Sequence, residues 1–390
     1  MTGRATLLDH HAIVTLAERE SGAFELADEG LLGRVRFVVD WINQRGPYAP
    51  PEVREMEAQL RRLLANRMRL LADRQRHPAI AAEVIDRPIF IVGFPRAGTT
   101  LIHSLLAEDP AALAPQSWHV YSPSPPPGAG PVAPERIAHA QRMVEEWMDF
   151  CPAQKPMHPY IDKGAFQLCE DEEVQALDFR NTYCYHFHRV PTMDHHLVVD
   201  PDPVGAFAFH REFLQHLQWN TGKTHWVCKG PSHQGSLDGL FAAYPDALCV
   251  WPHRPIGEIF DSLVTLSATI YDAITGRPTD MAPFARMLAE GLKAGLDRTM
   301  AQDLVDDPRV MHLPFREITA DPLGVVRRIH ERRGSAVSDA FAGRVTAWLA
   351  DPGNAVDRYG RYPYSYERLG LDRGWVEDLF ADYSRRFGLD

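Results

Sequence analysis

The apolar positions along the chain change period near residue 87, from helical spacing to short buried runs alternating with helical stretches. From Pro50 to Asp73, residues Met56, Leu60, Leu63, Leu64, Met68 and Leu71 recur every three or four positions, the signature of one apolar helix face. Proline at the start suits a first helical turn. The spacing predicts that residues 1–86 form a helical N-terminal extension ending near His77 and Pro78. Beyond it, Ile89–Val92 reads as a buried strand, Gly93–Thr99 as a tight loop and Thr100–Glu108 as a helix. Thr224–Cys228 and Ala247–Trp251 read as two more buried strands with a helix to Ala243 between them, and a helix carrying Ser262 follows. The prolines between Pro115 and Pro134 predict a loop or lid without a regular helix. Helical patterns follow over 135–150 and between Phe166 and Phe179. Strand, helix and strand in alternation predict an α/β fold with a central parallel sheet and flanking helices, whose ligands lie beyond the carboxyl ends of the strands.

Composition narrows the picture. At 390 residues and 45% hydrophobic content the chain can bury a large core. A formal net charge of −11 argues against a nucleic-acid partner, which needs clustered Lys and Arg, yet leaves room for one small anionic nucleotide in a basic pocket. No window approaches the ~18 apolar residues of a membrane span, and MTGRATLLDHHAI lacks the marks of a secretion signal. The expectation is a cytoplasmic protein with no integral membrane segment. The five cysteines (Cys151, Cys169, Cys184, Cys228 and Cys249) are odd in number and form no C-x-x-C pair, so reduced thiols are expected. Cys184, His186, His188, His195 and His196 lack a matching second half with ligand spacing. They read as packed or substrate-pocket residues, and no metal is expected.

The candidate chemistry begins at Gly93-Phe94-Pro95-Arg96-Ala97-Gly98-Thr99-Thr100. Strand, glycine-containing loop and helix in that order make a phosphate-binding loop, in which backbone N–H groups and a helix N-terminus cradle an anion. The spacing is that of the nucleotide-triphosphatase loop, but Thr99 stands where that loop requires lysine. Arg96 can supply the missing charge. Arg254, just past a buried strand, and Ser262, eight positions on, can grip a second phosphate. The plain alternatives are a structural turn for the loop and a surface salt bridge for Arg254.

These residues resemble the superfamily of sulfotransferases that use 3′-phosphoadenosine 5′-phosphosulfate (PAPS), in particular its bacterial branch related to the protein-tyrosine sulfotransferases. Pro95–Thr100 is similar to the P-R-[SA]-G-T-T loop that holds the 5′-phosphosulfate. Arg254 and Ser262 look equivalent to the elements that hold the 3′-phosphate, and Lys229-Gly230-Pro231-Ser232-His233 matches a K-x-P-x-H element. LPFREITADP at 313–322 and YSYERLGLD at 364–372 are weaker echoes. The resemblance covers roughly residues 87–390 and implies a sulfotransferase domain there, with helical acceptor-binding insertions at about 115–220. It implies sulfuryl transfer from PAPS, as cosubstrate, to a hydroxyl of a small molecule, without a metal.

In such a scheme the loop amides, Arg96, Thr99, Thr100 and Lys229 stabilise the charge that builds on the leaving phosphate. A base must take the acceptor's proton. The resembling branch commonly has glutamate after a tryptophan in this region, whereas this chain has Trp118-His119, so His119 is one candidate and His233 another. The acidic run Glu170–Glu173 reads first as a solvated helix face, with a carboxylate base or an orienting group for a histidine as the alternative. A P-loop nucleotide kinase or triphosphatase is a rival reading, weakened by the missing lysine. A non-catalytic nucleotide-binding module is the other, and the retained Arg96, Lys229, Arg254 and Ser262 speak against it.

Overall fold

The computed structural model of the protein describes residues 7–23, 25–180 and 202–389. Three helices open the chain: α1 (His10–Ser21), α2 (Glu29–Asn43) and α3 (Pro50–Arg76). The last carries Pro50 and Pro51 in its first turn and ends at His77, as its pattern predicts. The apolar faces of these helices belong to the same core cluster as Phe90 and Trp226 of the sheet. A buried carboxylate fastens them further. Asp178, 2% exposed, accepts from Arg34 of α2 (2.6 Å), Arg67 of α3 (2.7 Å) and Arg180 (3.0 Å). Removing one member of such a buried group strands the charges of the others, at about 3–5 kcal/mol.

The sheet follows, with the elements in chain order β1 (Ile89–Ile91), α4 (Thr99–Leu106), β2 (Ala112–Leu113), α5 (Ser117–Tyr121), α6 (Pro134–Phe150), α7 (Asp171–Ala176), α8 (Pro203–Gln218), β3 (His225–Lys229), α9 (Leu237–Ala243) and β4 (Leu248–His253). Then come α10 (Phe260–Thr275), α11 (Met281–Met300), β5 (Val310–Pro314), α12 (Phe315–Ala320), α13 (Pro322–Arg333), α14 (Asp339–Ala350), α15 (Tyr366–Leu369), α16 (Arg373–Leu379) and α17 (Ala381–Phe387). The strands run parallel in the order β2-β3-β1-β4-β5. Ile89 and Ile91 pack with α4, α13 and α14 on one face, while Phe90 packs with the other helical layer, so each strand is apolar on both sides. Because β3 and β4 flank β1 from opposite sides, a crevice opens beyond the carboxyl end of β1. Among the described residues no helix is long and apolar enough to cross a membrane.

Two expectations change. The proline-rich segment contains the short helix α5, which fits into the proline-free gap between Pro115 and Pro123. Trp118 and Tyr121 are buried in a cluster with Val144 and Trp147 of α6 instead of forming an exposed lid. The helix expected between Phe166 and Phe179 is confined to α7, because Leu168 pairs in extended form with Gln116 and the turn begins only at Glu170. Cys184, His186, His188, His195 and His196 lie outside the described residues.

Candidate functional site

The loop between β1 and α4 takes its shape from two close approaches. Gly93 (φ +106°) passes so near β4 that a Cβ would stand 2.6 Å from the Trp251 ring, and Gly98 (φ +95°) so near Phe315 that one would stand 2.9 Å away. Neither position tolerates a side chain. Arg96 also sits at positive φ (+73°), an arrangement that costs a non-glycine residue about 1 kcal/mol or more. Helix α4 starts without a side-chain cap, so its first N–H groups are available to an anion.

Arg96 and Arg254 meet at this loop. The Arg96 guanidinium donates to the Met157 carbonyl (2.8 Å), and Arg254 reaches back to the Arg96 carbonyl (3.5 Å). Arg254 also pairs with Glu258 (2.9 Å) and lies over the Phe315 ring, 4.5 Å from its centroid. Ser262, in the first turn of α10, is buried, and its hydroxyl donates to the Ile259 carbonyl (2.8 Å).

A cavity of about 560 Å³ opens beside the loop, with Thr100, His103 and Ser104 of α4 on one side and Lys229 at the end of β3 on another. His158, Tyr160, Phe166, Leu168, Glu170, Glu173, Trp348 and Asn354 complete most of its wall. The Lys229 ammonium, 4% exposed, donates to the Glu170 carboxylate at 2.7 Å inside this cavity.

The acidic run is buried, which overturns its reading as a solvated face: Asp171 and Glu172 are 0% exposed and Glu173 6%. Each member has its own partner. Glu170 takes Lys229, Asp171 takes His233 (2.8 Å), Glu172 accepts from the Ser232 N–H and hydroxyl, and Glu173 accepts the Glu170 N–H. Burial alone would raise Asp171, but His210 and His233 together hold its carboxyl far below the usual range. Burial correspondingly opposes charge on His233, and the facing Asp171, Glu172 and Glu170 carboxylates outweigh it and raise the imidazole. Asp171 and His233 thus form a buried ion pair.

Burial and the nearby Glu170 push Glu173 up to about 8. With a folded value above the ordinary 4.5, the unfolded chain gives up this proton first as pH rises, so stability is lost between about pH 4.5 and pH 8. Glu173→Gln, which keeps the neutral shape, is expected to match the parent near pH 5 and to exceed it by up to a few kcal/mol near pH 8.5. Urea unfolding at the two pH values checks this; a gap that does not widen with pH refutes it.

The two histidine candidates are not on the cavity wall. His119, in α5, is 6% exposed and its Nδ1 accepts the Gln116 N–H (3.0 Å). Burial, with Arg136 and His216 adding to it, pushes its imidazole down to about 3, a weak base. His233 is 1% exposed with its Nε2 committed to Asp171. Of the residues singled out in the sequence, Thr100, Glu170, Glu173 and Lys229 line the cavity, while Pro95, Arg96, Ala97, Gly98 and Thr99 form the loop at its edge. Trp348 and Asn354 arrive from α14 and the turn after it, with no signal in the sequence to mark them.

A family model described as "Sulfotransferase family" matches residues 88–339. The omega-hydroxy-beta-dihydromenaquinone-9 sulfotransferases of Mycobacterium bovis and Mycobacterium tuberculosis are each 23% identical over 320 residues, 79% of this chain and 76% of theirs. The crystal structure of sulfotransferase STF9 from Mycobacterium avium superposes with a TM-score of 0.80 at 23% identity, covering all of this chain and 98% of that one. Sulfotransferase STF1 from Mycobacterium tuberculosis gives a TM-score of 0.71 at 23% identity over 97% of this chain and 100% of that one. These solved structures share the fold, and with the family model spanning the β1–α4 loop, Glu170, Lys229 and the five described strands, the chain belongs to the Sulfotransferase family of enzymes.

Proposed function

We propose that the protein transfers a sulfuryl group from PAPS to the hydroxyl of a small molecule, with Glu170 as the general base and Lys229 as the cation beside the reacting centre. The observation that carries this reading is the Lys229–Glu170 pair, 2.7 Å apart in a cavity that begins at the phosphate loop. The loop's glycines, the uncapped α4 N-terminus and the Arg96 guanidinium fit a phosphosulfate. Arg254, adjoining the same loop, fits the 3′-phosphate, and its place over Phe315 fixes its orientation.

PAPS supplies an activated sulfur. The acceptor oxygen forms a bond to it as the bond from sulfur to the bridging phosphate oxygen breaks, and the hydroxyl proton passes to the Glu170 carboxylate. Lys229, the α4 amides and the Thr99 and Thr100 hydroxyls stabilise the charge gained by the phosphate, most strongly where water is excluded. His119 and His233 lie behind this wall, so they act as packing or positioning groups. Tyr160, Phe166, Leu168 and Trp348 favour an acceptor with an apolar or aromatic body, consistent with the quinone derivative acted on by the mycobacterial relatives.

Calorimetric titration tests the donor assignment. Adenosine 3′,5′-bisphosphate is expected to bind more tightly than adenosine 5′-phosphate, and Arg254→Ala to shrink that preference by ~10-fold or more, the worth of one charge-assisted bond. Equal affinity of the parent protein for the two nucleotides removes Arg254 from the 3′-phosphate. Magnesium-dependent ATP binding without bisphosphate binding transfers the loop to the kinase class.

A further inference from the structure

At the opposite end of the sheet, where β3 begins, Asp109, His225 and His330 converge with their ligand atoms all within 4.8 Å of one another. His225 opens β3 and Lys229 closes it, so about 13 Å of strand separates this cluster from the cavity chemistry. Its members come from the turn after α4, the first residue of β3 and the last turns of α13.

A hydroxyl stands against the Nδ1 atom of each ring: Thr224 Oγ1 lies 3.1 Å from His225 Nδ1, and Ser335 Oγ lies 3.1 Å from His330 Nδ1. The tautomer in which each Nδ1–H donates to its hydroxyl leaves both Nε2 atoms with lone pairs. The two Nε2 atoms are buried without a hydrogen-bond partner, in residues 3% and 1% exposed. His225 Nε2 lies 3.5 Å from Asp109 Oδ2. Asp109 Oδ1 is meanwhile held by the Ala111 N–H (2.9 Å). The carboxylate oxygen and the two imidazole nitrogens thus converge on one small space, the donor set a single divalent cation takes.

We infer that Asp109, His225 and His330 form a binding site for a zinc-class divalent cation, with the carboxylate and the two Nε2 atoms as ligands. Imidazole and carboxylate donors suit zinc, cobalt or nickel, and a hydroxyl behind each ligating ring is the outer shell such sites use to orient histidine. The 3.5 Å between Asp109 Oδ2 and His225 Nε2 is close to the ~3.3 Å that tetrahedral bonds of about 2 Å impose. The Asp109 side chain is 14% exposed and leaves a way in from solvent. Arg333 is the opposing charge nearby; its guanidinium is bound to the Arg87 and Asp86 carbonyls (2.8 and 3.2 Å) and faced by the Asp86 carboxylate at 3.7 Å. Fixed that way, it does not compete for the ligand atoms. The site is structural: it joins α13 to the amino end of β3, and it is independent of the sulfuryl-transfer reading.

The test uses the full chain, stripped with a chelator and titrated with Co²⁺ as a spectroscopic probe and then with Zn²⁺. One Co²⁺ per chain is expected, with d–d bands of nitrogen and oxygen ligation, no thiolate charge-transfer band, and displacement by Zn²⁺. Zn²⁺ is also expected to raise the thermal midpoint. Asp109→Asn, which keeps the Ala111 hydrogen bond and hence the fold, and His330→Ala are each expected to weaken Co²⁺ binding more than ~10-fold. Cys228→Ser controls for the buried Asp171, His210 and Cys228 group and is expected to change nothing. Absence of Co²⁺ binding, binding indifferent to Asp109→Asn, or a thiolate band abolished by Cys228→Ser overturns the proposal.

Discussion

Glu170→Gln is expected to lower kcat by about 10²–10⁴-fold while leaving affinity for adenosine 3′,5′-bisphosphate within a factor of a few, because it removes a proton acceptor and no phosphate contact. The amide keeps the shape and can still accept a bond from Lys229, so the fold is expected to hold. Steady-state kinetics with labelled PAPS, paired with calorimetry, gives both numbers. Retention of more than about a tenth of the parent kcat takes the proton elsewhere. His119→Ala and His233→Ala in the same assay then say whether either buried histidine receives it.

Lys229→Met comes second in expected effect, a loss of about 10²–10³-fold in kcat, comparable with removal of one preorganised electrostatic group. Methionine keeps most of the length of the stem, so packing at this 4% exposed position is largely preserved. The single variant also leaves Glu170 facing a low-dielectric wall without its cation, and about 1–3 kcal/mol of stability should go with it. Glu170 keeps 19% of its side chain exposed, which limits that cost. The double variant Glu170→Gln with Lys229→Met separates chemistry from folding. Urea unfolding is expected to recover most of the lost stability, because no charge is left unpaired, while turnover stays at or below that of the weaker single variant. Recovery of turnover together with stability would make the pair a structural strut.

Much of the fold was legible from short segments. The runs around Ile89, Val227 and Val250 are apolar at successive positions, which only a strand buried on both faces requires, and they form the middle of the sheet. The long helix from Pro50 announced itself by its spacing and its prolines. The proline-rich stretch misled in one respect, since a single turn of helix needs only the few residues between two prolines. The run Glu170–Glu173 misled more. Four consecutive acids are normally solvated, and here three are buried and Glu170 is half-buried because a lysine, a histidine, a serine and a backbone N–H meet them one by one.

His119 shows the same limit. Its position after Trp118 made it a candidate, but base strength depends on solvation and access, and burial in α5 removes both. Glu170, which the sequence offers only as one of four acids that could supply a carboxylate base, meets its partner Lys229 in the cavity from 59 residues away.

The sequence by itself marked the β1–α4 loop as a candidate phosphate site, because strand, two glycines and helix start follow one another within eight residues, while the close approaches of Trp251 and Phe315 that require those glycines belong to the tertiary structure. It also placed Lys229 and Arg254 at the carboxyl ends of parallel strands, the same end of the sheet as that loop, whereas the strand order itself came from the tertiary structure. Only the tertiary structure showed that His119 and His233 are buried away from the cavity, that Glu170 meets Lys229 inside it, and that two histidines converge on Asp109. Proton affinity and ligand geometry depend on the dielectric and on partners supplied by distant segments, and those exist only once the chain has folded.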